Sequence, residues 1–335
     1  MIESAVRERP AADYCPKRMH FGPCGGVRPD GQCEMRPGPC VFPEPILWSG
    51  PVPETSPVTA PLILTDFTCA PFDPADAAAT AATLAPSCDA VLVGEHQNRP
   101  DFPPTFMGRM LLEAGVVPWI TLSCRDRNRI VLEQELRGLR LLGVETALCV
   151  TGDGRAYDVR PDVTQTFDLD GPRLVSLAAS LGMIAAVPET PTAPPVSGRP
   201  LRLVQKQRAG AGLAVLNHVS TPAMVADFMA AARRAGLTIP VVAAVAVLTD
   251  EVSAAVLQGL PGLALDEAVV QDILSAPDPV EAGIEVAVLE ARALLSIEGV
   301  EGVNISGLAS SAGTRAGAEI KSEVGARIRA ERTHR

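Results

Sequence analysis

The chain has no excess of positive charge. Its 29 Lys and Arg stand against 39 Asp and Glu, a formal net charge of -10, which removes the basic footprint that a nucleic acid or an anionic membrane surface requires. The longest apolar run, residues 239–248, is about half of the ~20 residues a membrane span needs. The opening residues, MIESAVRERPAADY, carry charges where a secretory leader places its apolar segment, so the expected location is the cytoplasm. In that reducing setting the eight cysteines are expected as thiols or metal ligands and not as disulfides. No G-x-G-x-x-G follows the first apolar stretch, which takes away the usual motif of a doubly wound nucleotide-binding sheet. The C-x2-C pairs of zinc ribbons and ferredoxins are missing as well.

What is present is ample apolar material, 47% of 335 residues. A (β/α)8 barrel of ~250 residues would leave roughly 60–80 for an appended module, and the sequence divides accordingly. Residues 1–55 form a cysteine-rich segment and proline-rich linker, and residues 56–335 the barrel. Within the first, Cys15, Cys24, Cys33 and Cys40 are spaced C-x8-C-x8-C-x6-C, with five prolines and five glycines between residues 16 and 39. Turn chemistry of that density cannot bury a core of its own. Four thiolates on such a scaffold suit a tetrahedral zinc or a [4Fe-4S] cluster; reduced structural thiols, or three cysteines with His20, are the alternatives. Residues 41–60 hold five further prolines and read as an extended linker with Trp48 as a packing anchor.

The remaining chain is organised around residues 119–155, WITLSCRDRNRIVLEQELRGLRLLGVETALCVTGDGR. An apolar strand, a charged turn, an amphipathic helix and a second apolar strand follow one another there, both strands ending in polar residues, which is one parallel βαβ unit. Repetition of the pattern predicts strands at 61–67, 89–93, 117–122, 146–150, 183–187, 213–217, 239–243 and 302–305. Helices are predicted at 74–84, 106–114, 130–142, 171–181, 201–208, 221–235, 279–297 and 315–332. Eight alternations are the count of a (β/α)8 TIM barrel, with chemistry on the loops after the carboxyl ends of the strands; an open doubly wound sheet is the alternative.

CRDRNR at 124–129 and LCVTGD at 148–153, one helix apart, resemble the methylenetetrahydrofolate reductase superfamily of flavin-dependent (β/α)8 barrels. The run CPK, GPCGG, GQCE and a final cysteine resembles the small cysteine-rich domain that accompanies certain of these enzymes, where it is associated with zinc or iron-sulfur binding.

The resemblance implies FAD or FMN in the barrel, NADH, NADPH or ferredoxin as reductant, and a tetrahydrofolate derivative as substrate. It also implies a homo-oligomer with a redox or methyltransferase protein as a further partner. Asp66, at the end of the first strand, stands where the family has a Glu that delivers the proton opening the folate imidazolidine ring. Asp153 stands where an acid stabilises the cationic iminium beside the flavin, with Thr151 and Gly152 letting backbone approach the ring. Asn217 replaces the pterin-binding Gln, with His218 beside it. LVQKQRAGAG at 203–212 points to Lys206 as a contact to the cofactor phosphates, and Pro188-Glu189 follows the fifth strand as in the family. The chain departs from the pattern at Val187, where an aromatic stacks on the flavin, at Thr121, where a His contacts it, and at Ser310, where an Arg holds the folate tail. Arg125, Arg127 and Arg129 are expected on a solvated loop and helix start. The activity implied is hydride transfer through flavin to 5,10-methylenetetrahydrofolate. Oxidation of methyltetrahydrofolate, action on another folate-like substrate, and a non-catalytic accessory subunit are the rival readings.

Overall fold

The eight strands pair in chain order, all parallel, and β8 pairs back to β1, closing the barrel. This removes the open-sheet alternative. The structure is a computed structural model, and it describes residues 14–155, 160–259, 265–307 and 310–333. The strands are β1 (Ile63–Phe67), β2 (Ala90–Val93), β3 (Pro118–Ser123), β4 (Thr146–Val150), β5 (Ile184–Glu189), β6 (Ala211–Leu216), β7 (Val241–Ala246) and β8 (Val300–Ser306). Between them run α1 (Pro74–Leu84), α2 (Pro104–Glu113), α3 (Arg129–Leu142), α4 (Gly171–Ser180), α5 (Arg199–Arg208) and α6 (Pro222–Arg234). After β7 come α7 (Glu251–Gln258), α8 (Glu267–Leu274) and α9 (Pro279–Leu295), and α10 (Thr314–Thr333) follows β8.

Helix starts share one device. Asp73, Asp170, Thr221 and Asp278 each cap the first turn with a side-chain oxygen, and each helix then has a proline in its first two positions, where the missing N–H costs nothing. Strands β6 and β8 begin two residues before their expected starts, because Ala211-Gly212 and Val300-Glu301 continue the ladder without an unbroken apolar signal, and β7 begins two residues after its own. Helices α7 and α8 were not anticipated. They are short, and their signals are caps: Asp250 accepts from Ser253 N while Ser253 Oγ accepts from Asp250 N, and Asp266 caps α8.

Side chains alternate across each strand. The inward set, Leu64, Leu92, Trp119, Leu148, Ala186, Leu213, Val215 and Val242, fills the barrel; the outward set packs against the helices. Val58 and Ala60 of the linker join the inward set, with Val58 lying over Gly212. Residues 14–60 form no helix or strand longer than a single turn or bridge. They are ordered by turn bonds such as Cys33 N to Gly38 O at 2.9 Å and Cys40 N to Gly31 O at 3.0 Å, and by docking. Met19, Val27 and Phe42 are buried, and Trp48 packs its ring tilted against Phe21 and donates its backbone N–H to Gln205 Oε1.

Candidate functional site

On β1, β3, β6 and β8 the inward face turns polar two residues on from the inward layer. Asp66 follows Leu64, Thr121 follows Trp119, Asn217 follows Val215, and Asn304 and Ser306 follow Gly302 on β8. The result is a cavity of about 720 Å³ at the carboxyl ends of the strands, within the range of small-molecule sites. Its lining includes Asp66, Thr121, Thr151, Gly152, Asp153, Glu189, Lys206 and Asn217, so these eight expected site residues, drawn from five strands and one helix, come together. His218 does not join them: it is buried, with Nε2 at 2.7 Å from Glu290 Oε1 of α9. Ser310 is likewise engaged elsewhere, donating to Asp250 Oδ2.

Asp66 is fixed from two sides. Its Oδ1 accepts from Asn304 Nδ2 at 2.9 Å and its Oδ2 from Ser306 Oγ at 2.6 Å, while the buried Lys321 of α10 donates to its backbone carbonyl at 2.5 Å. Burial lowers the Lys321 ammonium to about 8, with Asp66 opposing. Across the cavity Asp153 lies between two glycines. The module supplies its neighbours: Lys17 Nζ donates to Gly152 O at 2.6 Å and pairs with Glu34, and Glu34 Oε2 accepts from Gly154 N at 2.9 Å. Asp153 is open to the cavity yet has protein on most sides, and that surrounding raises its pKa, with Lys17 opposing and Glu34 adding.

Glu189 and Lys206 meet each other. Their charged atoms are 2.8 Å apart, with Arg199 at 3.5 Å and Arg202 at 4.0 Å from the same carboxylate. Burial works to raise Glu189, and the three cations more than offset it, leaving it below the usual carboxylate value. Burial brings Lys206 down to about 8 against the pull of Glu189. Three cations on one carboxylate leave positive charge over, and Arg202 Nε is a buried donor with no hydrogen-bond partner. That surplus suits an anionic group on a ligand.

The arginines after β3 are not the solvated turn expected. Arg125 is buried, with Nε on Asp126 at 2.8 Å and Nη2 on the His96 carbonyl, and Arg127 pairs with Glu95. Only Arg129 is exposed, its backbone N–H donating to Asp168. Burial lifts the Glu95 pKa above its ordinary value despite Arg127. Sequence reading also passed over Lys17 and Glu34, although each lies within two residues of a cysteine it singled out, and over Asn304 and Ser306, whose signal is the two-residue alternation of VEGVNIS.

All eight cysteines are free thiols. Cys15, Cys24, Cys33 and Cys40 line one small void of about 20 Å³. The chemistry of the donor set suits a thiophilic ion. Cys24 is drawn toward the barrel, its thiol donating to Glu34 Oε1 at 3.3 Å and pushed up by burial to about 11. Among the described residues no three His, Cys, Asp or Glu side chains are drawn together as a metal shell.

Comparison with protein-family models and with curated proteins finds no match. Among solved structures, one shares the architecture. An uncharacterized protein from Clostridium thermocellum that binds two copies of 5-methyl-5,6,7,8-tetrahydrofolic acid superposes with a TM-score of 0.56 at 12% identity, over 80% of this chain and 96% of that one. The structure of "a putative lyase/mutase from Burkholderia cenocepacia J2315" aligns with a TM-score of 0.43 at 16% identity, over 84% of each chain. At 12% identity the likeness to the Clostridium thermocellum protein is one of fold alone.

Proposed function

We propose that this protein binds a tetrahydrofolate derivative in the barrel-mouth cavity and acts on its one-carbon unit, as a flavin-dependent oxidoreductase of the methylenetetrahydrofolate reductase type. The observation that carries the reading is the convergence of Asp66, Asp153 and Asn217 on one cavity, three polar side chains above an apolar floor, which suits a flat pterin with ring nitrogens to be matched. The folate bound by the Clostridium thermocellum barrel supports the same ligand class.

A flavin, when bound, would supply a hydride-accepting and hydride-donating centre. The residues fit one in part: Leu92, Leu148 and Val150 offer an apolar wall for a flat ring, and the surplus cation beside Glu189 offers a place for phosphate. The protein's own work is then binding and proton handling. Asn217 donates Nδ2 to Thr190 Oγ1 at 2.8 Å, which orients its amide oxygen toward a ligand N–H. Asp66, gripped by two donors, is held as an acceptor; it takes a proton from solvent in the cavity while the Ser306 hydroxyl turns to accept, and then delivers that proton to a folate nitrogen. Asp153 opposes positive charge developing on the pterin. For the module we propose a single zinc held by its thiols.

The test has two parts. Calorimetric titration of the purified protein with 5-methyltetrahydrofolate should show saturable binding, and its visible spectrum should show bound flavin. Asp66→Asn, which keeps shape and one acceptor, should retain binding within about twofold while folate turnover falls by about 10²-fold or more, and flavin reduction should proceed unchanged. Wild-type protein that binds neither a folate nor a flavin would end this reading.

A further inference from the structure

We propose that the Lys17–Glu34 ion pair of the N-terminal module is a clamp that positions Asp153, so that the module is one wall of the binding cavity and not an independent appendage. The inference rests on the folate reading for the ligand it names, though its geometry stands without that reading. Asp153 sits in the sequence Gly152-Asp153-Gly154, the most permissive backbone context a side chain can have. Gly152 has φ +88°, and a Cβ there would lie 2.3 Å from Ser123 Oγ, so the tight approach of the loop to β3 demands a residue that cannot stiffen it. An unrestrained Gly-Asp-Gly tip would lose about 1–2 kcal/mol of backbone entropy per residue on being ordered by a ligand.

Both peptide groups flanking Asp153 are held, and by the two ends of one ion pair. Lys17 Nζ donates to Gly152 O at 2.6 Å, Glu34 Oε2 accepts from Gly154 N at 2.9 Å, and Lys17 and Glu34 bind each other. Lys17 is 2% exposed and lies 5.6 Å above the Phe167 ring, so the clamp is itself fixed. Lys17 also lines the cavity and is the cation that acts most strongly on Asp153, the other charged groups facing that carboxylate being Glu34 and Arg125. A contact that merely docked the module would fall anywhere on the rim; this one falls on the two peptides that decide where Asp153 points. Lys17 and Glu34 are therefore positioning residues.

The test uses the full chain with Lys17→Met, Glu34→Gln and Lys17→Arg. Exchange of the Gly154 amide, measured by NMR, reports the clamp without any ligand, and it should quicken at least about tenfold in Lys17→Met and Glu34→Gln. Affinity for 5-methyltetrahydrofolate at neutral pH should fall by at least about tenfold in Lys17→Met, since truncating one member of a buried charge pair has effects of that size. The acid limb of the binding profile should move to higher pH, because Asp153 has lost the cation that acts most strongly on it. Lys17→Arg, which restores a donor and a charge, should recover most of both effects. Should a folded Lys17→Met protein bind the folate with wild-type affinity and pH profile, or keep its Gly154 amide as protected as in wild type, the clamp is refuted. Glu34→Gln, nearly the same shape, carries the exchange test if Lys17→Met does not fold. Wild-type protein that binds no folate would overturn the ligand reading, and the clamp would then stand or fall on Gly154 exchange.

Discussion

Asp66 shows what one residue takes from its neighbours. Its carboxylate accepts from Asn304 and Ser306, and its carbonyl from Lys321, an ammonium brought by burial to about 8. Lys321 is thus a group whose folded pKa lies below its ordinary value of ~10.5. Between those two values the unfolded chain holds a proton that the folded chain has released, so stability rises with pH across that window. Between pH ~7.5 and ~9 this should favour wild type over Lys321→Met by about 1 kcal/mol, a difference that cancels the other groups titrating in both proteins. Urea unfolding of both proteins at the two pH values measures it, and a constant gap between them would mean the Lys321 ammonium is not depressed. A strand-ending Asp66 is legible in LILTDFTCAP. Its three partners are not, because they are more than 230 residues away in the chain and become neighbours only when β8 pairs with β1.

At the scale of an element, α9 illustrates how packing overrides propensity. Gly283 lies within this helix, where replacement by Ala would gain about 1 kcal/mol of intrinsic helix preference. A Cβ at 283 would however sit 2.1 Å from the carbonyl oxygen of Leu248 and 3.0 Å from Thr249 Cγ2. The first of these is backbone leading out of β7 and cannot turn aside, and overpacking of this kind costs about 1–3 kcal/mol. Gly283→Ala should therefore gain nothing and lose up to about 2 kcal/mol net in chemical denaturation; a stabilised variant would show that the loop after β7 yields. The strong amphipathic run of α3 and the Asp-Pro starts of α1 and α9 could be read directly. Helices α7 and α8 could not, since eight residues each carry too short a period, and only the Asp250 and Asp266 caps mark them.

Across the whole molecule, Arg199 joins parts that sequence analysis kept separate. It is 1% exposed; its guanidinium donates to Ala193 O at 2.7 Å, to Pro194 O, and to Cys24 O of the module at 2.8 Å, and it faces Glu189. Truncating one member of a buried charged network costs about 3–5 kcal/mol. Arg199→Met should lose stability on that scale and free the module, so that trypsin cuts first after Arg18, which Met19 follows, whereas Arg28 and Arg36 each precede a proline and resist it. Uniform digestion with unchanged stability would show that the module is held by its apolar contacts through Met19, Val27 and Phe42 instead.

The sequence by itself determined the barrel, because eight alternations of strand and helix leave few other ways to bury so much apolar surface, and it determined that Asp66, Asp153 and Asn217 stand at strand ends. The two-residue period of a strand then carries a residue at i+2 to the same face as an inward-pointing one, which is why Asp66 and Asn217 proved to share a cavity, while Asp153 reaches it on the loop after β4. Tertiary structure alone decided the rest. His218 is turned away to Glu290, Lys206 is matched to Glu189, and Lys17 and Glu34 close on the peptides around Asp153. Each of these is a pairing of buried charges or donors across tens to hundreds of residues, set by where the closed barrel and the docked module bring side chains out of water, and no local pattern of residues records it.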